Sequence, residues 1–163
     1  MAQSDAVIAV TPSVLDRLID RDPTTAVEAA STRSQSVRQV KEALRRDLEW
    51  LLNTRRIAVP PSESLKEVNR SVYVYGLPDF AAYSLNSPKD QARLVRFLHS
   101  TVKLFEPRLA NIRILPLEDN TPGTRTLHFR IEGLLLMDPA PEHVSFDTVL
   151  ELISGQYEVG NAG

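Results

Sequence analysis

Cysteine is absent from this 163-residue chain, so neither a disulfide framework nor a thiolate metal site can form. Histidine is scarce: His99, His128 and His143 are scattered, and no H-E-x-x-H pair supplies metal-ligand spacing. Only six glycines are present, and they build neither a phosphate-cradling loop nor a G-x-S-x-G elbow. No metal, cofactor or covalent chemistry is therefore expected. No uncharged apolar run approaches the roughly 18 residues that span a bilayer. Met1 to Val10 lacks the basic start and apolar stretch of a secretory signal, so a soluble, cytoplasmic protein is expected. Charge of one sign is missing too, since a net charge of −2 argues against a surface that grips nucleic acid or anionic lipid throughout. What is present is ordinary for a globular chain: 42% apolar and 25% charged residues, enough for one modest core.

The pattern along the chain changes character several times. Thr11 suits an N-cap and Pro12 a first helical position, opening a short helix whose Leu15, Leu18 and Ile19 share one face. Residues 22–35 are mostly small and polar and read as a mobile linker, so residues 1–35 form a tethered peptide ahead of a folded body, residues 36–163. That body opens with a helix capped by Ser36, with Val37, Val40, Leu44, Leu48 and Leu51 inward and Trp50 and Leu52 widening the stripe. It should stop near Asn53-Thr54. Ser62 to Asn69 reads as a short helical turn, Val72 to Tyr75 as extended, and Gly76-Leu77-Pro78-Asp79 as a sharp turn. Ser87-Pro88 starts a second strong helix with Leu94, Leu98, Thr101, Val102 and Phe105 on its inner face. After Pro107 the period falls to two: Ile112 and Ile114, then Leu127 to Gly133 beyond a Pro122-Gly123 turn, then Val144 to Leu150, with Gln156 to Val159 closing. The expected fold class is α+β, two main helices packed on a small antiparallel sheet, with a short N-terminal helix on a flexible linker.

The chain carries few signatures of chemistry. Glycoside hydrolysis needs only two carboxylates, and Glu106, Glu118, Asp119, Glu132 and Asp147 are the candidates. Four of them also have a plain structural reading: Glu118 and Asp119 at a strand end, Glu132 on the polar side of a strand, and Asp147 between apolar neighbours on an alternating strand. Residues 38–56 hold six cations, Arg38, Lys41, Arg45, Arg46, Arg55 and Arg56, against Glu42, Asp47 and Glu49. A basic helix face can meet phosphates, but no aromatic platform is interleaved, and pairs such as Glu42 and Arg46 suit a solvated face. The segment that stands out is Phe105-Glu106-Pro107-Arg108-Leu109, where a carboxylate and a guanidinium flank a conformationally fixed proline. Such a pair can make directional bonds to a neighbour, or close on itself as an internal salt bridge that shapes the turn.

Five ordered stretches resemble a known family: Leu15 to Leu18, Asp47 to Arg55, Tyr75 to Phe80, Phe105 to Leu109 and Phe146 to Leu150. They are similar to the phage baseplate wedge family, often labelled lysozyme-like, in its type VI secretion branch. The resemblance implies a non-catalytic part that joins the baseplate wedge and anchors the contractile sheath, with the baseplate at the cytoplasmic side of the inner membrane. It implies that Glu106, Pro107 and Arg108 contact other baseplate subunits. The sheath connection is expected by strand addition to a free sheet edge, and Leu15, Leu18 and Ile19 are expected to dock in a partner groove. Partners are then other wedge subunits and sheath proteins, with no nucleic acid and no membrane insertion. The alternative is a peptidoglycan-cleaving hydrolase of an injection machine.

Overall fold

The computed structural model describes residues 13–19, 24, 33–80, 87–117, 126–138, 140–151 and 156–161. The chain falls into two compact units, Met1–Leu44 and Arg45–Gly163, with one helix running through the division.

In the first unit, α1 spans Val14–Leu18 and is capped by Ser13, whose Oγ accepts from the Asp16 amide at 3.1 Å. The expected cap and proline, Thr11 and Pro12, lie outside the described residues. None of the α1 residues is buried. The long helix α2, Arg33–Asn53, begins three residues before the expected Ser36 cap. Ser36 is instead an interior helical residue with 2% exposure. Arg33-Ser34-Gln35 contains no proline or glycine, so a helix nucleated by the apolar stripe extends over it at little cost. The expected linker is correspondingly shorter, and of its remainder only Thr24 is described.

In the second unit, α2 buries Leu48, Leu51 and Leu52 and ends at Asn53 as expected. Trp50 departs from the expected stripe: it is 52% exposed, with the Arg46 guanidinium 4.9 Å from its ring centroid. At 100° per residue it lies on the far side of the helix from Leu48 and Leu52, where a cation can cover its face. The chain after α2 forms a short parallel bridge between Arg55 and Leu77, with the Leu77 amide donating to the Thr54 carbonyl at 2.8 Å. Gly76 makes that approach possible. Its φ is +98°, and an added Cβ would lie 2.2 Å from the Thr54 carbonyl oxygen. Val72–Val74 is a 3-10 turn and not the expected extended segment. Ser71 explains the difference, because its hydroxyl accepts from the Tyr73 amide at 3.2 Å and offers the backbone a turn in place of a ladder.

Helix α3, Pro88–Phe105, starts at the expected Ser87 cap and buries Leu94, Leu98, Thr101 and Val102. Four strands follow, β1 (Leu109–Leu117), β2 (Thr126–Leu135), β3 (Glu142–Glu151) and β4 (Gln156–Asn161), in one antiparallel sheet of order β1-β2-β3-β4. The two-residue period is realised directly: Leu127, Phe129, Ile131 and Leu135 of β2 face the core with Val144, Phe146, Thr148 and Leu150 of β3 and Tyr157 and Val159 of β4. Strand β1 is less regular. Its register with β2 shifts between Ala110 and Arg113, and Asn111 there takes φ 52°, a left-handed value that asparagine tolerates. Helix α3 packs along β1. The α+β architecture is thus as expected.

Candidate partner-binding site at the helix to strand junction

The end of α3 and the start of β1 are joined by three residues, Glu106, Pro107 and Arg108. Glu106 caps the helix, its amide donating to the Val102 carbonyl at 2.8 Å, and its own carbonyl accepts from the Leu109 amide at 3.1 Å. Pro107 occupies the second position of that turn, where its fixed φ is favourable. Arg108 is then tied to the sheet, its carbonyl accepting from the Leu136 amide at 2.8 Å.

With the backbone so held, the side chains close into one network. Arg108 Nε donates to Glu106 Oε1 at 2.6 Å and Nη2 to Oε2 at 2.5 Å, a bidentate fork. Nη2 also donates to Oδ2 of Asp47 on α2 at 2.6 Å, and Asp47 Oδ1 accepts from Arg46 at 2.8 and 3.0 Å. Two carboxylates and two guanidiniums balance in charge. The hydrogen bonds to Glu106 hold the Arg108 guanidinium well above its ordinary pKa against the opposing effect of burial, with Asp47 adding to the rise. Tyr75 stands near this network and stacks edge-on against Phe105 at 5.1 Å. Its phenol is pushed above its usual range by burial and by the negative charges of Asp47 and Glu106.

Glu106 is therefore turned inward, with 5% of its surface exposed and both oxygens bound by Arg108. Pro107 is exposed. Arg108 keeps 29% of its side chain accessible, and its Nη1 has no partner among the described residues. Of the three residues read from the sequence, one is an anchor and two form the outer surface. Asp47, Arg46 and Tyr75 complete the cluster and escaped the sequence reading, because the contact between Arg108 and Asp47 joins residues 61 apart. Asp47 opens one of the stretches on which the family resemblance rests, which was its only signal.

The second set of expected residues lies on α1 and at its C-cap, Ile19. Leu15, Leu18 and Ile19 are 47%, 77% and 39% exposed, an apolar stripe left open to solvent. The carboxylates considered for hydrolysis are otherwise engaged or scattered. Asp147 accepts from Arg130 at 2.6 and 3.1 Å across β2 and β3, and Glu118 and Asp119 lie outside the described residues. A shallow cavity of about 140 Å³, bordered by Arg56, Asn69, Gly76, Ser100 and Phe105, has no carboxylate in its lining. The basic stretch is likewise dispersed: Arg45 pairs with Glu49, Arg55 with Asp79 at 2.8 Å, and Arg56 lies over the Phe97 ring. Among the described residues no His, Asp and Glu group is arranged to hold a metal ion, and no helix is long and apolar enough to cross a membrane.

Residues 38–140 match the family model described as baseplate wedge protein gp25. Among curated proteins no relative matches. A chain in a solved structure titled "The baseplate complex from the type VI secretion system" is 20% identical, with 77% of this chain and 97% of that chain covered and a TM-score of 0.47. That likeness is too low to carry a functional argument.

Proposed function

The chain belongs to the baseplate wedge protein gp25 family, and from that membership we propose a structural, non-catalytic subunit of the baseplate wedge in a type VI secretion system, of the TssE type. It joins the baseplate to the contractile sheath, at the cytoplasmic side of the inner membrane and without inserting into it. The observation that carries this reading is the extent of the family match, residues 38–140, which takes in Asp47 and the whole Glu106-Pro107-Arg108 turn. In this reading the turn contacts other wedge subunits. Glu106 and Asp47 fix the guanidinium, while Pro107 and the outer edge of Arg108 meet the partner. The segment ahead of α2, residues 1–32, acts as a docking helix on its tether, with Leu15, Leu18 and Ile19 entering an apolar groove of a neighbouring subunit. The sheath is reached by strand addition to the sheet.

The test is affinity capture of the tagged full-length protein from its native cytoplasm, with partners identified by mass spectrometry. Wedge and sheath subunits are expected in the eluate. Pro107→Ala and Arg108→Lys should lower their recovery about tenfold, the effect of losing roughly 1.4 kcal/mol at an interface. Circular dichroism of both variants should match the parent. A protein that elutes alone, or with cell-wall enzymes, sinks the proposal.

A further inference from the structure

The two edges of the sheet are not equivalent. β4 has no strand on its outer side among the described residues, yet three of its outward backbone groups are taken, the Tyr157 amide and carbonyl and the Val159 carbonyl. Asn53 Nδ2 donates to the Tyr157 carbonyl at 2.8 Å, and Asn53 Oδ1 accepts from the Tyr157 amide at 2.8 Å. This is the bond pair that an antiparallel neighbour residue would make. Eight residues earlier on the same helix, Arg45 Nη1 donates to the Val159 carbonyl at 2.9 Å. Side chains of α2 thus stand in for a fifth strand.

Backbone alternation carries this information across the sheet. Tyr157 and Val159 point outward, so their partners Leu150 and Thr148 exchange bonds with β2 and not with β4. Thr148 and Phe146 then bond Phe129 and Ile131, which leaves Phe129 and Ile131 unbonded to their β1 partners Pro116 and Ile114. Ile114 and Pro116 therefore turn their backbone groups to the outer edge of β1. The placement of Pro116 agrees independently, since a residue without an N–H is tolerated in a strand where no ladder donor is needed. Among the described residues nothing bonds this edge beyond Leu109. Its open stretch is bounded by the irregularity at Asn111 and by Pro116, so it offers the Ile114 amide and carbonyl and the Pro116 carbonyl.

We propose that this sheet accepts a partner strand at β1 only, over Ile112 to Pro116, while Asn53 and Arg45 hold the β4 edge shut. The identity of the partner rests on the proposed function; the inequality of the edges does not. The occupant is an extended segment of another protein with alternating apolar and polar residues. Its apolar positions continue the buried row of Ile114, Ile131 and Phe146, and its polar positions continue the face carrying Arg113, Glu132, Arg130 and Asp147. Closing β4 also has a purpose: a sheet open at both edges would pair β1 of one copy with β4 of the next and grow without closure.

Residue-resolved amide exchange on the full-length protein, alone and in the captured assembly, tests this. In the isolated chain the Tyr157 amide should be protected and the Ile114 amide should exchange at least about tenfold faster, as expected for an unbonded edge donor. Asn53→Ala should speed Tyr157 exchange about tenfold and leave Ile114 unchanged. On assembly Ile114 should become protected. A protected Ile114 in the isolated chain, or an assembly with sheath subunits present in which Ile114 stays fast, overturns the assignment. Concentration-dependent protection of Ile114 in the isolated chain would make the occupant a second copy and overturn it as well. If no baseplate protein is captured, the proposed function is wrong, and the edge assignment is then decided on the isolated chain alone.

Discussion

Arg108 illustrates how a single side chain can serve both folding and recognition. Its fork on Glu106 neutralises a carboxylate that the fold has removed from water, and one of its donors also reaches Asp47. Removing it leaves Glu106 buried without its counter-charge. Arg108→Ala is therefore expected to destabilise the isolated protein by about 2–3 kcal/mol, below the range for fully buried pairs because the guanidinium is partly solvated. Urea denaturation checks this, and a loss under 1 kcal/mol would contradict a structural role for the pair. Tyr157 makes a contrasting case. Its hydroxyl is buried with no hydrogen-bond partner, and burial raises its pKa above the ordinary tyrosine value. With the folded-state pKa raised, its contribution is intact below about pH 10 and is lost as the pH climbs from there, because the unfolded chain ionises first. Tyr157→Phe should be neutral or stabilising by up to about 1 kcal/mol at pH 7, since no bond is lost. It should also flatten the alkaline fall in thermal midpoint measured between pH 9 and 11.5. A steeper alkaline fall in the variant would contradict the burial argument. The slope that remains belongs partly to Tyr75.

Among the elements, α2 has the most diverse duties. Its apolar stripe enters the core, Asp47 anchors the junction site, and Arg45 and Asn53 cover a sheet edge. These duties follow from helical geometry: Arg45, Glu49 and Asn53 recur every fourth residue on one face, which runs beside β4. The short helix α1 differs in every respect. With five residues and no buried side chain, it has little intrinsic reason to persist alone, and its exposed Leu15 and Leu18 lack a described partner surface within the chain. Leu15→Asp with Leu18→Asp should therefore leave the thermal midpoint of the isolated protein unchanged while reducing capture of baseplate partners. A midpoint lowered by several degrees would show that α1 packs on its own chain, and would remove the docking role proposed for it.

For the molecule as a whole, what could be read from the sequence divides from what could not along the range of the interactions. Local patterns determined the elements: the period of α3 behind Ser87-Pro88, the alternation in β2 and β3, and the junction turn with Pro107 at its second position. They were legible because each depends on residues within a turn or two of one another. Where local signals competed, the reading failed. Val72 to Val74 has the β-branched and aromatic residues of a strand, yet Ser71 turns it, and periodicity puts the exposed Trp50 in the core because it does not say how wide a stripe is. By itself the sequence determined an α+β fold with the Glu106-Pro107-Arg108 turn at its helix to strand junction. Only the tertiary structure decided that Glu106 faces inward, that Asp47 shares its arginine, and that Asn53 covers β4 while β1 stays open. Each of those joins residues distant along the chain or depends on the direction of a backbone group, and hydrophobic periodicity carries no information about either.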